Sequence, residues 1–160
     1  DLMLMGYDQA VDDNTTLDIF WGLYEIMGVS LVDMRMWQWL YAHPDATAQQ
    51  LREATLAIAK EVWNTYYYPV LGEQDSPILA CYSHMVNAPM YLPNYPFGHI
   101  VEFQLEEHLA QFPTKQAFAD EIMRIYKLGK LTPNQWMQQA VGAKVSTTPI
   151  LNAVEAILKK

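Results

Sequence analysis

Apolar residues recur at steps of three and four along most of this chain, which is the spacing of an α-helix. The first long segment follows this spacing at Leu17, Phe20, Tyr24, Met27, Leu31 and Met34. With further apolar residues on its other sides, the segment is expected to form a buried helix from about residue 16 to 42, ended by Pro44. Inside it, Glu25 or Asp33 is expected to form a structural ion pair with Arg35.

Hydroxyl residues that can cap a first helical turn mark the later helix starts. Thr47 with Gln50 predicts a capping box ahead of a helix that runs to Pro69. Thr114 is expected to cap a helix that stops near Gly129. Three further starts place a hydroxyl at the N-cap and proline at the first helical position, namely Ser76-Pro77, Thr132-Pro133 and Thr148-Pro149.

Signals for β-strands are weak throughout. No segment sustains an alternation of apolar and polar residues, and the chain lacks an Asn-Gly or Asp-Gly hairpin turn. We therefore expect an all-α protein, with about seven helices in one compact bundle-like unit that forms a single domain over residues 1–160.

The segment from 81 to 109 differs from plain helix packing. A short helix from Pro77 is expected to end near Asn87. Proline disfavours helix in the residue before it, so an extended or turning crossing is expected at Pro89, Pro93 and Pro96. A new helix then begins near Pro96, with an apolar stripe at Phe97, Val101, Leu105, Leu109 and Phe112.

Charge narrows the range of partners. The chain has 10 Lys and Arg against 18 Asp and Glu, a formal net charge of −8, and no Lys or Arg between residues 61 and 114. Phosphate groups and anionic membranes bind clustered positive charge, so neither nucleic acid nor a membrane is an expected partner. The chain does not begin with Met and shows no signal peptide, which suggests either a piece of a longer protein, the interpretation we favour, or a processed product.

General catalytic motifs are absent: the sequence contains no HExxH, no Gly-rich phosphate loop and no G-x-S-x-G. Cys81 and His84 lie one helical turn apart, which fits a thiolate–imidazole pair, although a single cysteine is more typical of a small buried apolar residue. His99, Glu102 and Glu106 share a helical face, which fits either a metal site or a partly solvated polar face.

A histidine and two tyrosines remain, at His84, Tyr91 and Tyr95. Held by the proline-rich crossing, they can supply three hydrogen-bond donors to one oxygen that becomes negative in a transition state. A phenol with an ordinary pKa near 10 keeps its proton at neutral pH. The alternative is aromatic packing with satisfied hydroxyl groups.

These residues resemble the C-terminal part of the gluzincin zinc peptidases, which include angiotensin-converting enzyme, the thimet-type oligopeptidases and bacterial peptidases of this kind. His84 and Tyr91 match the family's histidine and first tyrosine at the same separation, and Tyr95 falls one residue later than the second tyrosine. The apolar helix that follows agrees with the converting enzyme at Ile100, Phe103, Gln104, Glu107 and Leu109. A lysine that holds the substrate carboxylate in the converting enzyme is replaced by Tyr82.

The resemblance implies a hydrolase in which this chain is the C-terminal helical half of a zinc metallopeptidase. His84 would bind the substrate near its scissile carbonyl, Tyr95 would stabilise the oxyanion, and Tyr91 would help to hold the peptide. Zinc, its ligands and HExxH would lie in an N-terminal portion upstream of Asp1, with no metal ligand in this chain, so the 160-residue chain alone is expected to be inactive. The alternative is a non-catalytic helical module that binds a peptide or a partner chain through the groove around His84 to Tyr95.

Overall fold

A computed structural model of the protein describes residues 13–160. Over that range it contains no β-strand, so the all-α prediction is confirmed. The described helices are α1 (Asp13–Ala42), α2 (Ala48–Tyr66), α3 (Tyr68–Leu71), α4 (His84–Asn87), α5 (Asn94–Leu109), α6 (Lys115–Tyr126), α7 (Pro133–Val141) and α8 (Thr148–Leu158). Two of these, α3 and α4, are single turns, which brings the number slightly above the expected seven. Among residues 13–160, every helix is too short or too polar to span a lipid bilayer.

The chain divides into two compact units. The first unit is Trp21–Pro96, and the second contains Phe97–Lys160 together with the described residues 13–20. The single domain expected over residues 1–160 stays a prediction.

Most of the predicted helix starts are confirmed. Thr47 and Gln50 form the capping box of α2, with the Thr47 side chain accepting from the Gln50 backbone N–H. Thr114 caps α6 by accepting from the Ala117 backbone N–H at 3.2 Å. The helix α7 begins at Pro133 as predicted, whereas α8 begins one residue earlier than expected.

The helix predicted from Pro77 to Asn87 is wrong. A 3-10 turn occupies Ile78–Ala80, and α4 follows only after a break. The break lies at Cys81, whose backbone (φ −97°, ψ 51°) is not helical. The capping signal at Ser76-Pro77 therefore starts a turn but not a continuous helix.

The core of the first unit lies between one side of α1 and α2. Its fully buried members are Val32, Ala59, Val62 and Leu92. The expectation that α1 is a buried helix is wrong at Trp21 and Tyr41, which are more than half exposed. The expected intrahelical ion pair is also wrong: Arg35 pairs with Glu61 of α2, with 2.8 Å between Nη1 and Oε1.

Tyr67, just after α2, joins that helix to α1. Its hydroxyl donates to the Tyr24 carbonyl oxygen at 2.6 Å, while the Tyr24 hydroxyl donates to the Tyr66 carbonyl oxygen at 2.7 Å. The Tyr67 ring lies against Gly28, where a Cβ atom would come within 2.3 Å of the phenol oxygen. Close approach of the two helices therefore depends on glycine at this position.

The second unit is held by polar contacts as well as by its core. Gln104 of α5 donates to the Lys144 carbonyl oxygen and accepts from the Ser146 N–H, which fixes the segment ahead of α8. Its core includes Leu109, Ile125 and Ala140. Phe97, the first residue of the stripe expected on α5, is exposed, while Phe103 and Leu109 are buried.

Candidate functional site

The three residues singled out from the sequence lie together in the first unit. The rings of His84 and Tyr91 are nearly parallel, with an interplanar angle of 15° and centroids 6.0 Å apart. Tyr91 and Tyr95 meet edge to face at 87°, with centroids 5.3 Å apart. Tyr82 adds a fourth ring, 5.2 Å from His84. We call Tyr82, His84, Tyr91 and Tyr95 the aromatic cluster.

Local backbone geometry brings these side chains together. The single turn α4 ends with the Ala88 N–H donating to the His84 carbonyl oxygen at 2.8 Å. The next turn closes when the Tyr91 N–H donates to the Ala88 carbonyl oxygen, and it passes through Met90 with a positive φ of 59°. Leu92 is completely buried and anchors the segment before α5 begins. The crossing expected from its prolines is thus a succession of tight turns.

Asp33, which was expected to form an ion pair, fixes this turn instead. Asp33 of α1 is fully buried, and its Oδ2 accepts from the Met90 backbone N–H at 3.0 Å. Burial raises the pKa of Asp33, while the Met90 N–H and the Trp37 indole favour its charged form. Within residues 13–160 the Asp33 Oδ1 has no partner in good hydrogen-bond geometry. An acidic residue inside an apolar helix was the only sequence signal for this role.

The two tyrosine hydroxyls of the aromatic cluster are joined. The Tyr95 hydroxyl donates to the Tyr91 hydroxyl at 3.3 Å. This hydrogen bond is the largest of the causes that raise the pKa of Tyr95, followed by desolvation and by the nearby Tyr91 and Tyr82. Tyr95 therefore keeps its proton at neutral pH, and the Tyr91 O–H is left to donate elsewhere.

The cluster presents both an exposed and a buried side. Tyr91 is 46% and Tyr95 45% exposed, so their rings and hydroxyls can meet a ligand. The Nδ1 atom of His84 is buried and has no hydrogen-bond partner among the described residues. Two phenols and an imidazole at one place can hydrogen-bond a carbonyl oxygen or an amide group.

The other candidate groups are either exposed or paired with a carboxylate. Cys81 is an exposed free thiol and not the small buried residue that a lone cysteine suggests. His99 Nδ1 lies 2.9 Å from Glu102 Oε2 on α5, a histidine–carboxylate pair in the second unit. Across residues 13–160, no three His, Cys, Asp or Glu side chains form a group that could hold a metal ion.

Each of the described histidines contacts a different partner, and no two of them contact each other in the interactions described below. His43 Nδ1 contacts the Trp39 carbonyl oxygen, and His108 Nε2 lies 2.7 Å from Glu121 Oε1. His84 belongs to the aromatic cluster and His99 pairs with Glu102. Comparison of the chain with protein-family models, curated proteins and solved structures finds no significant match, so the resemblance to zinc peptidases stays a prediction.

Proposed function

We propose that this chain is the C-terminal helical half of a zinc-dependent peptidase and that the aromatic cluster binds a peptide at its scissile carbonyl group. One observation carries the proposal: His84, Tyr91 and Tyr95, chosen from the sequence, meet in a single exposed cluster. The zinc site with its HExxH motif belongs, in this proposal, to a portion upstream of this chain.

Each member of the cluster has a part in the proposed chemistry. Tyr91 can donate its O–H to the substrate directly, because the Tyr95 hydroxyl already donates to it. Tyr95 becomes a second donor when that hydrogen bond is exchanged for one to the oxyanion. His84 binds the peptide beside the scissile bond. A donor aimed at a developing oxyanion contributes about 3 to 4 kcal/mol to lowering the barrier, by comparison with other oxyanion holes.

Tyrosine-to-phenylalanine variants test this role in a protein that joins the chain to an HExxH-bearing portion. Tyr95→Phe removes the hydroxyl and keeps the ring, so kcat should fall about a hundredfold or more while KM changes little. Tyr126→Phe is the matched control, since Tyr126 is 73% exposed and lies in the second unit. Unchanged turnover in Tyr95→Phe would remove Tyr95 from the mechanism.

The 160-residue chain alone gives a second test. With zinc added it should not hydrolyse peptides, because the histidines of residues 13–160 are engaged separately. It should still bind a capped pentapeptide, and His84→Ala should weaken that binding. Chelator-sensitive hydrolysis by the isolated chain would contradict the division of the site between two portions.

A non-catalytic peptide- or partner-binding module is the second candidate. Apolar exposure beside the cluster favours it: Val86 of α4 is 86% exposed, and Met90 is also exposed. Contiguous exposed apolar side chains commonly mark interaction sites. An upstream HExxH motif that has lost its histidines would favour this module over the peptidase.

A further inference from the structure

The aromatic cluster has a shape suited to one class of ligand. The Tyr91 and Tyr95 rings stand at 87° to each other in edge-to-face contact, so their exposed parts form the two sides of a corner. His84 stacks against Tyr91 with nearly parallel planes, and Tyr82 is in ring contact with His84. Because the face of an aromatic ring carries partial negative charge, adjoining ring walls attract a cation.

The charge of the surrounding chain has the complementary sign. Between residues 61 and 114 there is no Lys or Arg, and the whole first unit has seven acidic and three basic residues. Of its basic residues, Arg35 is paired with Glu61. A cation at the cluster therefore meets no fixed positive charge from its own segment, whereas an anion would meet a net negative field.

Apolar neighbours suit the rest of a long basic side chain. Val86 and Met90 are exposed on the turns that carry His84 and Tyr91. The methylene stems of Lys and Arg pack on such surfaces while the charged head reaches a polar or aromatic group. A neutral apolar side chain would make only these packing contacts and would lack the attraction between a charged head and the rings.

We infer that the aromatic cluster binds the cationic side chain of a Lys or Arg in an extended peptide, held against the exposed parts of the Tyr91 and Tyr95 rings. This inference rests on the proposed peptide-binding function and adds a preference for basic residues. The ring faces of Tyr91 and Tyr95 carry the preference, whereas their hydroxyls carry the proposed oxyanion contact. The two roles can therefore be separated by substitution.

A charge-only comparison tests the inference on the 160-residue chain. Two capped pentapeptides, Ala-Ala-X-Ala-Ala, differ only in X, which is trimethyl-lysine or its neutral isostere with carbon in place of nitrogen. Calorimetry should give a dissociation constant about threefold to tenfold lower for the charged peptide. Tyr91→Leu and Tyr95→Leu should abolish the difference, Tyr91→Phe and Tyr95→Phe should keep it, and Tyr126→Leu is the control.

Each outcome decides the matter. Equal binding of the two peptides overturns the cation preference and leaves peptide binding intact. A preference that survives both leucine variants, with their helicity and melting temperature unchanged, overturns the assignment to this cluster. If neither peptide binds, both proposals fail; if tetramethylammonium alone binds and depends on the Tyr91 ring, the cation site stands and the peptide function falls.

Discussion

The buried carboxylate of Asp33 on α1 accepts a 3.0 Å hydrogen bond from the backbone N–H of Met90, 57 residues further along the chain. Met90 has a positive φ of 59° and directly precedes Tyr91. A non-glycine residue in this conformation is held by its surroundings. The hydrogen bond therefore fixes the turn that places Tyr91 beside His84.

Removing this carboxylate should destabilise the first unit and loosen the aromatic cluster. Asp33→Ala leaves the Met90 N–H without its acceptor, and we expect the free energy of unfolding to fall by about 1 to 3 kcal/mol. Guanidinium unfolding measures this loss. The NMR line width of Tyr91 should change as well, because the turn that holds Tyr91 becomes less ordered. Asp33→Asn is the control, because its amide oxygen can accept the same hydrogen bond.

The same pair of variants predicts a pH dependence. Burial raises the pKa of Asp33 above 3.8, so the folded protein holds this proton more tightly than the unfolded chain. Stabilisation from protonated Asp33 is complete below pH 3.8 and is lost as the pH rises through the folded pKa. The stability of the wild type relative to Asp33→Asn should therefore fall from acid to neutral pH. A difference that grows over this range would contradict the prediction.

Two glycines of α1 should respond oppositely to alanine. In Gly28→Ala the new methyl group would collide with the Tyr67 phenol, and overpacking of this kind costs about 1 to 3 kcal/mol. A methyl group added at Gly22 would meet no atom within 4 Å from the rest of residues 13–160, apart from its own helix backbone and chain neighbours, so Gly22→Ala should stabilise the helix by roughly 0.5 to 1 kcal/mol. Thermal unfolding of both variants checks the signs, and Tyr67→Leu should partly rescue Gly28→Ala.

Glu121 in the second unit predicts an acid-sensitive contact. Its carboxylate accepts from Arg124 at 2.6 and 2.8 Å and contacts His108 at 2.7 Å. These partners, Arg124 first, lower the pKa of Glu121 to about 2, against desolvation that opposes them. The stabilisation is therefore present above pH 4.5 and is lost as the pH falls toward 2.

Glu121→Gln should accordingly cost about 2 kcal/mol at neutral pH, with a cost that shrinks on acidification. Urea unfolding between pH 2 and 7 measures it. The exposed Glu155–Lys159 pair is the matched control, since Glu155→Gln should change stability by less than about 0.5 kcal/mol. If the stability cost of Glu121→Gln were independent of pH, the negative charge of Glu121 would not contribute to the stability of the fold.

The tyrosine pair can be tested by titration. Donation to Tyr91 is the main cause that raises the pKa of Tyr95, so Tyr91→Phe should return the Tyr95 pKa toward 10. Carbon-13 NMR of labelled tyrosine separates this titration from that of Tyr67, whose pKa burial raises to about 12. No change in the Tyr95 pKa would mean that the two hydroxyls are not joined in solution.

The helical class and most helix starts were predictable because they depend on neighbours in sequence. The capping box of Thr47 and the proline at the start of α7 act within one turn, and both were found where the residues placed them. The break at Cys81 was not predictable in this way. No proline or glycine lies between Ile78 and Asn87, so the local sequence carries no signal for a break there.

The sequence by itself determined that this chain is helical, where most of its main helices begin, and that His84, Tyr91 and Tyr95 are candidate ligand-binding residues. Only the tertiary structure decided that Arg35 pairs with Glu61, that Asp33 holds the turn at Met90, and that Tyr95 donates to Tyr91. The physical reason is distance along the chain for the first two: partners 26 and 57 residues apart meet only when helices pack. The two tyrosines are only four residues apart, and their hydroxyls meet because the turn after Met90 directs both side chains toward each other.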